Sequence, residues 1–211
     1  MGRERRDFVR RSGFRDARLF VIASEGAVTE PKYFNGIKER WHNPRIHLEV
    51  VGRDDPGLSS PEHVLRTLDR FVSEYKLRDG DQLWLVIDRD SKSWKPRAMA
   101  GIARRCEQKR YFLAVSNPCF ELWLLLHFED VATQSPARRH ELLENANGLL
   151  KSEMVRRCSA DCDYIDNFIP NSATAIARAA ALDTEPQDRW PSQLGTRVHR
   201  LIRQLAPETV E

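Results

Sequence analysis

Apolar positions along the 211-residue chain fall into two rhythms. Short runs rich in β-formers occur at 19–24 (LFVIAS), 46–52 (IHLEVVG), 83–87 (LWLVI) and 111–116 (YFLAVS), and each reads as a buried or half-buried strand. Between them the spacing becomes helical. Tyr33, Phe34, Ile37 and Trp41 form one stripe, with Gly26 allowing a sharp turn before it, Thr29 as expected N-cap and Pro31 in the first turn. Val64, Leu65, Leu68, Phe71, Val72 and Tyr75 form another, opened by Ser60 as N-cap and Pro61. KPRAMAGIARRCEQK predicts a third helix, and NPCFELWLLLHF a buried one starting at Pro118, with Trp123, Leu124, Leu125 and Phe128 in the core.

Alternating strands and helices through residue 128 predict an α/β fold: a parallel sheet with helices on both faces. After residue 130 the pattern is all helical, in SPARRHELLENANGLLKSEM, NSATAIARAAAL and SQLGTRVHRLIRQLA. The expected division is a basic N-terminal segment (1–17), an α/β core (18–130) and a helical extension packed on that core (131–211).

In such a sheet, functional groups collect beyond the carboxyl ends of the strands. Glu25 lies just past the first predicted strand, and Asp88 and Asp90 end the third. In extended chain, residues i and i+2 share a side, so this pair can converge on one ion. Clustered carboxylates repel unless a cation lies between them, and oxygen ligands suit Mg2+ or Mn2+. The chemistry that follows is metal-assisted phosphodiester cleavage; the alternative for Asp-x-Asp is a solvated turn.

Charge adds a partner class. Arginines crowd the first 18 residues, a second basic cluster spans Lys92 to Arg110, and a third comprises Arg189, Arg197, Arg200 and Arg203. These suit a phosphate backbone, or else are solvated helix faces and a disordered tail. Lys32 and Arg89 are placed to reach phosphate or to lie on the surface. Asn117 is expected either to cap the helix after it beside a phosphate or only to cap it. Glu121 supplies a further ligand or base, or only complements the helix dipole. Glu30 reads as a first-turn acid of that second kind, and His127 as a satisfied core histidine. Gly195 and Thr196 predict a turn, with Thr196 capping the last helix. The four cysteines read as free thiols, Cys158 and Cys162 lacking a second pair at zinc spacing. No apolar window predicts a membrane span or a secretory signal, which makes the cytosol the expected location.

A strand ending in Glu-Gly and a later one ending in Asp-x-Asp resemble the Toprim domain. More narrowly, SEGAVTEPKYF, LWLVIDRD and SNPCFELWLLLHF together resemble the RloB-like family of bacterial proteins linked to abortive phage resistance. The likeness spans about 18–130, with a weaker echo in SQLGTRVHRLI. It implies a Mg2+- or Mn2+-dependent nuclease with Glu25 in acid/base chemistry or metal binding and Asp88 and Asp90 as metal pair. It also implies a separately encoded ATPase as partner. Ser91, Lys92 and Ser93 follow Asp90, so the third aspartate of fuller Toprim patterns is missing and the number of metals stays open. Two readings compete with a nuclease: a non-catalytic Toprim-like binding or regulatory subunit, and a phosphotransfer enzyme with Asp88 as nucleophile. DNA and RNA, tRNA included, stay open as substrates, and a homo-oligomer is compatible with the sequence.

Overall fold

Two sets of side chains leave opposite faces of one sheet. The computed structural model of the chain describes residues 4–10, 16–52, 60–89, 96–158 and 164–206. Within these, β1 is Arg6–Asp7, β2 Arg18–Ser24, β3 Ile46–Val51, β4 Tyr75–Lys76, β5 Gln82–Asp88, β6 Phe112–Asn117 and β7 Gly195–Thr196. The helices are α1 Thr29–Arg40, α2 Pro61–Glu74, α3 Pro96–Lys109, α4 Glu121–Leu125, α5 Pro136–Glu144, α6 Leu149–Arg157, α7 Tyr164–Phe168, α8 Ser172–Leu182 and α9 Val198–Leu205.

The main sheet runs β3-β2-β5-β6-β7. Its first four strands are parallel, and β7 lies antiparallel on the β6 edge. This is the expected mixed α/β architecture, and the period-2 alternation of the strands explains its layers. Leu19, Val21, Ala23, Leu83, Leu85, Ile87 and Val115 face α2 and α3. Phe20, Ile22, Trp84, Val86 and Ala114 face the other way, onto α1, α4, α8 and α9. That second cluster is continuous from α1 through Leu142, Leu150 and Phe168 to Leu205, so the helices after residue 130 share one core with the sheet.

The strand order sets the position of the site. From β2 the chain moves outward to β3, then returns to the other side of β2 to form β5. The order therefore reverses between β2 and β5, and open α/β sheets bind ligands beyond the carboxyl ends at such a point.

Several local expectations hold and several fail. Ser60 caps α2, its hydroxyl accepting from the His63 N–H at 3.4 Å. The apolar run after β6 is helical only over α4, and Pro118, joined to Asn117 by a cis bond, lies before the helix. Asn117 ends β6 and caps nothing; the N-cap of α4 is Phe120. Gly195 and Thr196 form a strand in place of a turn. The N-cap of α9 is Arg197 and not Thr196, whose Oγ1 accepts from Val198 N at 3.3 Å from the end of β7.

The described part of the N-terminal segment, residues 4–10 and 16–17, is not the free basic tail that its charge suggests. Described residues of it pair with β4, and Phe8 packs edge-on against Tyr75 and His47. Arg10 is buried against Asp81 at 2.7 Å, and the same carboxylate accepts the Leu19 N–H at 2.8 Å. Arg10 also donates to the Ala17 carbonyl. Cys106 and Cys119 are free thiols, but Cys158 is disulfide-bonded, against expectation. Among the described residues no helix is long and apolar enough to cross a membrane.

Candidate functional site

The reversal between β2 and β5 places Glu25 beside Asp88. Ser24 pairs with Val86, and Glu25 continues the ladder, its N–H donating to the Val86 carbonyl at 3.0 Å. The Glu25 carboxylate turns across to accept the Asp88 N–H at 3.2 Å. Asp88 has the parity of Trp84 and Val86, so it leaves the sheet on the α1 and α4 side.

That parity brings in two more acids. Glu30 at the start of α1 and Glu121 at the start of α4 both act on Asp88 electrostatically, as does Glu25. Burial is the first cause that pushes the Asp88 carboxyl well above the usual aspartate range. Repulsion from Glu30, Glu25 and Glu121 adds to it, and a hydrogen bond from the Phe120 backbone opposes it. Chain segments far apart in sequence thus press negative charge onto one carboxyl.

Glu30 is the residue that pattern reading undervalues. It is 5% exposed, and its Oε1 accepts the Gly26 N–H at 3.0 Å, closing a loop over the turn after β2. A Cβ on residue 26 would overlap the Glu30 carboxylate, so any larger residue here would displace that carboxylate from its place on the turn. The signal lies in the spacing: a glycine followed one helical turn later by a glutamate, with the helix starting between them.

The two flanking residues of the carboxylate pair turn elsewhere. Arg89 donates from Nη1 to the carbonyls of Pro191 (3.0 Å) and Ser192 (2.8 Å). Asn117 is buried, and its Nδ2 donates to Pro191, Ser192 and Gln193 carbonyls at 3.2, 3.2 and 2.9 Å. Both side chains strap the segment before β7 to the carboxylate end of the sheet. The Ser116 and Thr196 hydroxyls, 2.8 Å apart and buried, bind the same two strands together. Arg197 is 2% exposed and holds Asp183 at 3.1 Å together with the Glu185 carbonyl at 2.8 Å and the Asp188 carbonyl. The donors of buried Asn117 and Arg197 are engaged inside the protein, which leaves them no reach to a nucleic acid, whereas half-buried Arg89 commits its Nη1 to the strap. Lys32 is exposed on the first turn of α1. Asp90 lies outside the described residues.

The donor set suits a hard divalent cation in kind, being all carboxylate and carrying more negative charge than it neutralises. Its placement is less complete: among the described residues no group of three or more His, Cys, Asp or Glu side chains is gathered so as to hold a metal ion. Glu25 and Glu30 face backbone N–H groups. Cys119, near the same acids, has its thiol pushed well up by burial and by Glu121 and Asp88, which disfavours a thiolate. A cavity of about 520 Å³ opens at the opposite end of α1, between Trp41, His42 and the start of β3, away from these carboxylates.

A family model described as RloB-like protein matches residues 20–205. The chain belongs to the RloB-like family. The match extends well beyond the segments that carried the resemblance, taking in α5 to α9 and therefore the strap on Arg89 and Asn117. No curated protein and no solved structure matches this RloB-like chain.

Proposed function

We propose that this RloB-like chain is a divalent-metal-dependent nuclease of Toprim type, cleaving phosphodiester bonds in bacterial antiviral defence. The observation that carries the reading is the convergence of Glu25, Glu30 and Glu121 on Asp88 at the switch point of a parallel sheet. Such repulsion is costly in a fold unless a cation relieves it.

Asp88 and Asp90 would hold Mg2+ or Mn2+, with Glu25 beside Asp88. When bound, the ion supplies an activated water and charge stabilisation on the phosphate. Glu25, held at the Asp88 backbone, is the base or acid that moves the proton of the attacking water. Glu121, at the start of α4, is the additional carboxylate that the shortened Asp-x-Asp motif calls for. Exposed Arg97, Arg104, Arg110 and Arg203 are among the described cations that would meet a nucleic-acid backbone, with Lys32 on the first turn of α1 beside the carboxylate end. The substrate class is DNA or RNA, tRNA included, and a separately encoded ATPase is the expected partner.

A second reading rests on the lack of a gathered ligand set among the described residues. It makes the chain a non-catalytic, nucleic-acid-binding or regulatory subunit of a defence complex. One experiment separates the two. Purified protein, alone and with the proposed partner ATPase, is incubated with tRNA, total RNA and plasmid DNA in Mg2+ or Mn2+, beside Asp88→Ala. Cleavage that Asp88→Ala abolishes supports the nuclease. Binding without cleavage in every arm supports the subunit, and equal cleavage by both proteins removes Asp88 from the chemistry.

A further inference from the structure

We infer that Glu30 is a positioning residue of this carboxylate end: its side chain, folded back onto the Gly26 N–H, locks the Glu25–Gly26 turn so that Glu25 stays over Asp88. The proposal rests on the metal-site reading above for its functional consequence, but the lock itself is a property of the metal-free fold. The Glu30 Oε1 to Gly26 N distance is 3.0 Å, the residue is 5% exposed, and the carboxylate occupies the space that a Cβ of residue 26 would take. Glu25, adjacent to the locked amide, is then bonded across to the Asp88 N–H at 3.2 Å. The chain of contacts runs from α1 through the turn to β5 without a gap.

A lock of this kind does what supporting hydrogen bonds do around metal ligands, fixing a ligand's orientation before the ion arrives. It needs an acceptor oxygen at the reach of a glutamate; it does not need the negative charge. A ligand role would need the charge. Two conservative substitutions divide these requirements. Glu30→Gln keeps reach and an acceptor while removing charge. Glu30→Asp keeps charge but is one methylene too short.

The test uses the full chain and two readouts. The first is amide hydrogen exchange of Gly26 by NMR in the absence of divalent ions. The second is Mn2+ affinity by calorimetry, with Glu25→Ala as reference. The expected result is wild-type protection of Gly26 in Glu30→Gln, rapid exchange in Glu30→Asp, and Mn2+ affinity weakened about 10- to 100-fold by Asp, as for other supporting shells, but less by Gln, which loses only a charge acting through space. An affinity loss larger in Glu30→Gln than in Glu30→Asp, with Gly26 still protected in the Gln variant, would make Glu30 a ligand and overturn the proposal. Unchanged Gly26 exchange in Glu30→Asp would overturn it as well. If wild-type protein takes up no Mn2+, the nuclease reading fails, while the exchange arm still decides the lock.

Discussion

Asp88 carries a cost in the metal-free protein. Its carboxyl titrates well above the usual aspartate range because of burial and the glutamates around it. The folded state therefore binds a proton that the unfolded chain releases, and stability falls as pH rises from the usual aspartate pKa through the raised one. Asp88→Asn removes the charge at nearly constant shape. In divalent-free buffer near neutral pH it is expected to melt a few degrees above wild type, for a gain on the order of 1 kcal/mol. Its melting temperature should also depend less on pH. Differential scanning calorimetry across pH 4 to 8 checks both; a lower melting point for Asp88→Asn would mean that repulsion is not what burdens the site. At this scale much is legible in the sequence. Glu25 and Asp88 are found by asking where strands end, since strand ends follow from local alternation. Glu30 is easily discounted, because an acid in a first helical turn has an ordinary explanation, and only the fold shows its carboxylate resting on Gly26.

Single elements show where local pattern stops being informative. The run after β6 is mostly apolar with a helical period, yet the helix covers only α4. His127, just beyond α4, lies against Tyr33 of α1, Trp123 and Phe168 of α7, with its Nε2 3.3 Å from the Tyr33 hydroxyl. Burial pulls its pKa down to about 4. Here the unfolded chain binds the extra proton, so stability is complete above about pH 6.5 and is lost as pH falls towards 4. The loss is on the order of 3 kcal/mol at most, because each tenfold difference in proton affinity between the folded and unfolded chain is worth about 1.4 kcal/mol. His127→Phe is expected to flatten this acid limb in urea titrations at pH 4.5, 5.5 and 6.5; an unchanged limb would place the acid sensitivity elsewhere. Asn117 gives a second expectation. Asn117→Ala takes the donor from the Gln193 carbonyl and leaves those of Pro191 and Ser192 to Arg89, which costs about 1–3 kcal/mol. Limited proteolysis should then cut the variant near residue 191 while wild type resists. Long-range acceptors of this kind are backbone atoms and leave no mark on the hydrophobic rhythm, which is why Asn117 reads as a cap.

Over the whole molecule, the extension after residue 130 is part of the apparatus that shapes the carboxylate end. Arg197 reads as a surface cation because its neighbours Arg200 and Arg203 are cationic too, yet it is buried on Asp183. Removing one partner of a buried pair costs about 3–5 kcal/mol. Arg197→Ala should therefore lower the melting temperature by roughly 10 °C, from about 2–4 °C per kcal/mol for a chain of this size. Arg203→Ala, on the exposed side of α9, should leave melting within a degree or two. Similar losses from both would contradict the assigned burial. The segment before β2 is the least legible part. Arginine-rich sequence predicts solvation, while Arg10 lies buried against Asp81 and Phe8 packs into the α2 side of the sheet. The strap that Arg89 and Asn117 hold is made from residues 191–193, far along the chain from β5 and β6. A ribosome finishes those two strands long before it supplies the strap. Arg89 and Asn117 thus lack their strap while α5 to α8 are being synthesised, and a nascent chain completes this end of the sheet only after those helices have emerged.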